Sequence, residues 1–277
     1  MRKVLLATTA LVAMSVTAAQ ADISISGAME FDYTNTDGAA TVARDGNLTI
    51  TASSTADNGI TYGVTVNNHI DLADAAAEDA FISVSGDFGK FTFGKNDNAS
   101  ENMDSSLGKN MDIHSSGAQA STSTVAAVYD DGISYYSPNV NGFAVGYSMQ
   151  PENAGASSYI VTYSGNGIHA HFAGNDADAT QMGVSFSMSG ATIAIGSGDD
   201  GSASNSKSTD IGVKYALNDT TTLGMMSASK QGGAKYQNIG AKVTLGGGAY
   251  TMVEYSSGKA SAGATVNTTF LSLGVAF

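Results

Sequence analysis

Ser158-Tyr159-Ile160-Val161-Thr162-Tyr163-Ser164-Gly165-Asn166-Gly167-Ile168-His169-Ala170-His171-Phe172 is the stretch on which the fold turns. Tyr159, Val161 and Tyr163 fall on one side of an extended chain, and Thr162 and Ser164 on the other. Gly165-Asn166 then supplies a tight turn. Beyond it Ile168, Ala170 and Phe172 alternate with His169 and His171. Successive side chains of a strand point to opposite faces, so this is a hairpin with one apolar and one polar face.

The same unit recurs along the chain. Ile23, Ile25, Met29, Phe31 and Tyr33 oppose Ser24, Ser26, Glu30 and Asp32, and Ile60, Tyr62, Val64 and Val66 oppose Thr61, Thr65 and Asn67. Met182, Val184, Phe186 and Met188 oppose Gln181, Ser185 and Ser187, while Ile211, Val213, Tyr215 and Leu217 oppose Lys214. The pattern predicts strands near 22–34, 44–56, 59–68, 79–87, 90–96, 133–137, 141–150, 158–165, 167–174, 180–189, 191–197, 208–217, 220–229, 235–245, 248–256 and 267–277.

A soluble sandwich also alternates; the connections separate the two. The even-numbered ones are tight, as at Asp57-Asn58-Gly59, Gly86 to Lys90, Ser137 to Gly142, Ser189-Gly190, Asn218-Asp219 and Gly246-Gly247. The odd ones are mostly longer and more polar: 35–43, 69–78, 97–132, 198–207 and 257–266. Short turns at one end and longer loops at the other are the layout of an up-and-down transmembrane barrel. Strands of about ten residues suit a tilted crossing of the hydrocarbon layer. The expected fold is therefore all-β, a 16-stranded antiparallel transmembrane barrel, wide enough for an aqueous channel. Phe31, Tyr33, Tyr62, Tyr135, Tyr136, Phe143, Tyr147, Tyr250, Tyr255 and Phe277 are candidates for interfacial aromatic girdles.

Both ends carry further expectations. Arg2 and Lys3 precede the apolar stretch Val4 to Ala19, and Ala19-Gln20-Ala21 supplies small residues for cleavage. Residues 1–21 thus read as a signal peptide and 22–277 as the barrel domain. The chain ends on the alternating strand Leu271-Ser272-Leu273-Gly274-Val275-Ala276-Phe277. A terminal aromatic on such a strand resembles the segment through which outer-membrane proteins meet their assembly machinery.

Composition narrows the chemistry. The formal net charge is −13, and removal of Arg2 and Lys3 with the signal takes it to −15. That balance argues against nucleic acid and favours cations in a water-filled lumen. With no cysteine, thiol and disulfide chemistry are absent. The only prolines are Pro138 and Pro151, both in connections, so no paired strand loses a ladder hydrogen bond.

Gly86-Asp87-Phe88-Gly89-Lys90-Phe91-Thr92-Phe93-Gly94-Lys95 resembles the turn and strand before the third loop of general-diffusion porins, and Val42-Ala43-Arg44-Asp45-Gly46-Asn47-Leu48 is similar to the start of their second strand. With the strand order, the signal and the terminal Phe, the resemblance spans the chain from residue 22. It points to the alphaproteobacterial type of trimeric porin, in which the third loop folds into the lumen and narrows it. The resemblance implies a homotrimer amid outer-membrane lipid and lipopolysaccharide, and passive diffusion of ions and small hydrophilic solutes.

Carried over, Asp97, Glu101, Asp104, Lys109 and Asp112 become constriction residues on the third loop, and Arg44 and Lys95 wall positions of a basic cluster. Arg44 is the single arginine after signal removal, so the basic side is thin. Counting from Phe91 and Phe93 also puts Lys95 on the lipid side, unless the strand bulges or ends at Gly94. His169 and His171 share the polar face and read as wall residues; no third ligand makes them a metal site.

No cofactor is expected; weak Ca²⁺ binding by Asp199 and Asp200 in the loop 198–207 is the alternative, without the fixed spacing of a calcium loop. No serine lies in a nucleophile motif, and Gly246-Gly247-Gly248 separates two strands, which makes it a turn and not a phosphate cradle. An outer-membrane phospholipase or protease, a substrate-selective channel and a secreted adhesin are the competing readings. A selective channel calls for a row of lumen aromatics or a basic ladder, whereas the polar faces are mainly Ser, Thr, Gly and Asn.

Overall fold

A computed structural model describes residues 21–70, 77–104, 107–114, 124–125, 128–152 and 156–277. The expected signal segment, but for Ala21, and the middle of the third connection (the third of the longer loops, 97–132) lie outside the described residues.

Sixteen strands form one closed antiparallel barrel. The first eight are β1 (Asp22–Thr36), β2 (Ala39–Thr55), β3 (Thr61–His69), β4 (Ala77–Gly86), β5 (Gly89–Asp97), β6 (Val128–Tyr136), β7 (Phe143–Gln150) and β8 (Ala156–Gly165). The second eight are β9 (Ile168–Asn175), β10 (Thr180–Met188), β11 (Ala191–Asp199), β12 (Lys207–Ala216), β13 (Thr221–Lys230), β14 (Lys235–Gly246), β15 (Ala249–Lys259) and β16 (Thr265–Ala276). Each strand pairs with its neighbours in sequence. β16 returns to β1 from Ala28↔Ala276 to Thr36↔Thr268, and Gly27 and Phe277 exchange backbone hydrogen bonds of 3.0 Å beyond that ladder. Closure leaves no strand edge, so every strand has ladder partners on both sides.

The alternation sorts the side chains as the sequence implies. On the apolar face large side chains stand half-open, with Ile25 and Phe31 each 56% exposed, because nothing among the described residues covers them. This is the band that faces lipid in a transmembrane barrel. On the other face Thr92, Ser134, Ser148, Ser158, Gln181, Ser208 and Ser272 are buried.

One boundary differs from expectation. The loop expected at 35–43 is a two-residue turn, Asp37-Gly38, between long strands β1 and β2. Asp37 at φ 47° and Gly38 at φ 91° take the left-handed conformations of a type I′ hairpin, whose twist matches the flanking strands. Ala39-Ala40-Thr41-Val42-Ala43 carries no clean alternation, which is why its pairing was not visible beforehand. The sixth strand likewise begins earlier than expected, at Val128.

The third connection carries a short helix, α1 (Ala99–Met103), and a 3-10 turn at Gly108–Met111. Asn98 caps α1 by accepting the Glu101 N–H at 2.9 Å. That satisfies one of the donors a helix start leaves unpaired.

Candidate functional site

The third connection meets the polar face of the wall on strands spread from β7 round to β15. At α1, the Ala99 N–H donates to Ser148 Oγ on β7 at 2.7 Å and Ser100 Oγ to the Tyr159 carbonyl on β8 at 3.2 Å. Further along, Gln181 on β10 accepts the Val125 N–H at 3.1 Å and donates to Asp104 at 3.2 Å. Asp210 on β12 accepts the Gly108 N–H at 2.8 Å, and Lys214, four residues on, donates to the Asn110 carbonyl at 2.9 Å. Glu254 on β15 accepts from Ile113 and His114. Apart from the Tyr159 carbonyl, each anchor is a side chain on the polar face of the wall.

Glycines make room for this path. A Cβ on Gly146 would come within 2.7 Å of the Ala99 Cβ, and one on Gly196 within 2.7 Å of Leu107. A Cβ on Gly212 would stand 2.6 Å from Met111 Cβ, and one on Gly224 or Gly240 would crowd Ile113 at 2.9 or 3.0 Å. Gly196, Gly212, Gly224 and Gly240 belong to four consecutive strands, β11 to β14, and form a shallow track in which residues 107–113 sit.

The acidic residues of the connection are spread along it. Asp97 ends β5, Glu101 lies in α1, Asp104 is buried against Gln181, and Asp112 follows the 3-10 turn that contains Lys109. Asp112 and Lys242 both lie close enough to Lys214 to interact electrostatically.

The two expected basic wall residues require correction. Arg44 pairs with Phe31, between Val42↔Tyr33 and Gly46↔Met29. Cross-strand partners share a face, so Arg44 stands on the apolar side. Lys95 pairs with Ala80 in unbroken register with Ile82↔Phe93 and Val84↔Phe91, which puts it in phase with the two Phe residues. The register shift beside it, from Gly94↔Gly132 to Asn96↔Tyr129, places the extra residue in β6 and leaves β5 in phase. The phase of Asn96 agrees, since its Nδ2 donates to Thr92 Oγ1 at 3.0 Å on the polar face.

The polar wall carries other charges instead. Glu30, Asp32 and Asp45 lie on β1 and β2, with Glu30 opposite Asp45. Glu30 accepts from the Tyr250 hydroxyl, and Lys242 Nζ stands 4.0 Å over the Tyr250 ring. Asp45 lies 3.9 Å from His69 Nδ1. These two carboxylates line a recess of about 190 Å³ with Asn47 and His69. Lys90, Lys214, Lys242 and, at the loop end of β13, Lys230 are cations on this face among the described residues. His169 and His171 are also on it, paired with Ser185 and Gly183.

The available signal for these residues was parity alone: a charged residue in step with Ser and Thr. Glu30, Asp32 and Lys214 were legible in that way, but nothing local marked Glu254 or Asp210 as anchors. In the loop 200–206, Asp200 is held by Lys230 at 2.9 Å and by Ser202.

The Gram-negative porin family model matches residues 7–277. No curated protein matches the sequence. Among solved structures, the trimer form of OmpT, an outer-membrane protein of Vibrio cholerae, is 14% identical, with a TM-score of 0.73 over 93% of this chain and 99% of that one. A variant of Rh. blastica porin is 17% identical, with a TM-score of 0.73 over 92% of this chain and 100% of that one. A closed ring of sixteen strands with a polar and an apolar face, together with a family match over nearly its whole length, makes this chain a member of the Gram-negative porin family.

Proposed function

We propose that the protein is an outer-membrane pore for passive diffusion of ions and small hydrophilic solutes, with a mild preference for cations. The polar face lines a water-filled lumen, and the third connection lies inside it and narrows it. Size exclusion and electrostatic filtering then sort solutes without any chemical step.

One observation carries the cation preference. The wall across from α1 presents Glu30 and Asp45, not a basic cluster, while the connection adds Asp97, Glu101 and Asp112. Carboxylates on both sides of a low-dielectric constriction raise the local concentration of cations. Lys90, Lys214 and Lys242 only partly offset them.

Residues 1–21 act as a cleaved export signal, and Phe277 is the handle for the outer-membrane assembly machinery. The protein works as a homotrimer surrounded by lipid and lipopolysaccharide; the trimer form of the OmpT relative supports that assembly. No cofactor takes part.

The test is conductance of the detergent-refolded protein in a planar bilayer, with the reversal potential read under a KCl gradient. Stepwise openings in threes with a cation-selective reversal potential are expected. Anion selectivity would overturn the electrostatic reading. Folded, inserted protein that passes no current would overturn the pore itself.

A further inference from the structure

Phe81 stands out on the polar face. It is in phase with Ser83 and Ser85 and pairs with Thr65, so its ring lies among hydroxyls and amides. It borders a recess of about 350 Å³ under the start of the third connection. Around the ring are Asp79, Asp97, Asn96, Lys90 and Tyr136.

Two features indicate what the recess accepts. Asn96 is only 4% exposed, and its Oδ1 is buried without a hydrogen-bond partner. A buried acceptor left unmatched is destabilising, and a hydroxyl donor from a solute would relieve it. The Lys90 ammonium stands 5.6 Å over the Phe81 ring, within cation–π range. A second cation on that ring would meet Lys90, and an anion would meet Asp79 and Asp97. A neutral molecule bearing several hydroxyls meets neither penalty. Its hydroxyls can donate to Asn96 and the carboxylates and accept from Lys90, while its C–H face covers the ring.

We propose that this recess is a subsite for neutral polyhydroxylated solutes of monosaccharide size, with Phe81 as the stacking platform and Asn96 as the buried acceptor. The inference rests on the pore reading for its physiological meaning, because the recess is reached through the lumen. Such a subsite would raise the local concentration of sugar at the constriction and favour its passage over other neutral solutes of equal size.

The test is binding of D-glucose to the refolded barrel by saturation-transfer NMR, followed by current-noise analysis of single channels with glucose added. Phe81→Leu keeps the side-chain bulk and removes the ring; Phe81→Tyr restores it. Folding of each variant is checked by heat-modifiable mobility on a gel. Glucose binding that weakens roughly tenfold in Phe81→Leu, in line with the strength of an aromatic contact, and recovers in Phe81→Tyr is expected. Asn96→Leu should weaken it as well. No glucose binding to folded protein overturns the subsite, as does equal binding by Phe81→Leu or preferential binding of a small amine. Binding without conductance upholds the subsite and removes the pore; conductance without binding does the reverse.

Discussion

The Glu254 carboxylate on β15 accepts the backbone N–H of His114, 140 positions away in sequence, at 2.7 Å. The same oxygen takes the Ile113 N–H at 3.3 Å, and the His114 ring stacks on Phe270 with centroids 3.5 Å apart. The connection is thus tied, at residues 113–114, to the last two strands. Glu254 is 1% exposed, so these donors stand in for the water its carboxylate would otherwise meet. Glu254→Gln should destabilise the protein by about 1.5–3 kcal/mol, the range for hydrogen bonds to a charged group. It should also raise current noise as the connection loosens. Unchanged urea unfolding and unchanged noise would sink the anchoring role.

The glycine track predicts a steric effect. Gly212→Val and Gly224→Val place a branched side chain where Met111 and Ile113 sit, while the strands themselves tolerate valine well. The barrel should fold with a displaced connection and an altered single-channel conductance. Met111→Ala added to Gly212→Val should restore part of the original conductance. If Gly212→Val conducts like the parent protein, residues 107–113 do not occupy that track.

Face assignment predicts which cations matter for selectivity. Arg44→Gln and Lys95→Gln should leave the KCl reversal potential unchanged, because both residues stand in phase with lipid-facing side chains. Lys242→Gln should shift it by a few millivolts towards stronger cation preference. Glu30→Gln combined with Asp45→Asn should shift it the opposite way. A large response to Arg44→Gln would contradict the register.

The loop acid Asp200 offers a pH readout. Hydrogen bonds from Ser202 and Lys230 hold its carboxyl down at about 2. A carboxyl depressed in the folded state favours folding above its unfolded value, and that contribution disappears as pH falls towards 2. Its ¹³C carboxyl shift should titrate near pH 2. In Lys230→Met the midpoint should rise towards the ordinary Asp value. A midpoint near 4 in the unmodified protein would rule out the clamp.

Much of the fold could be read in advance, because a barrel repeats one local rule. Tyr159, Val161 and Tyr163 declare their face within five residues, and Ser189-Gly190 declares its turn within two. Hidden features depend on phase carried over distance. Arg44 follows the ambiguous run Ala39–Ala43, so its side could be settled only by pairing with Phe31. Parity alone counted Lys95 towards lipid, but whether a bulge intervened could not be read; the extra residue is in β6, on the partner strand. Long-range anchors such as Asp210 to Gly108 leave no trace in spacing, since an acid on a polar face looks the same whether it holds a backbone or meets water.

The seam between β1 and β16 makes completion of this molecule a late event. Strand pairs can form as neighbours emerge, yet the ring shuts only when Phe270 meets Thr34 and Phe277 meets Gly27. Until then two ribbon edges with open hydrogen-bonding groups travel together. The intermediate before closure is therefore the species most exposed to mispairing with other copies, and the time spent in it is set by the longest-range contact in the chain.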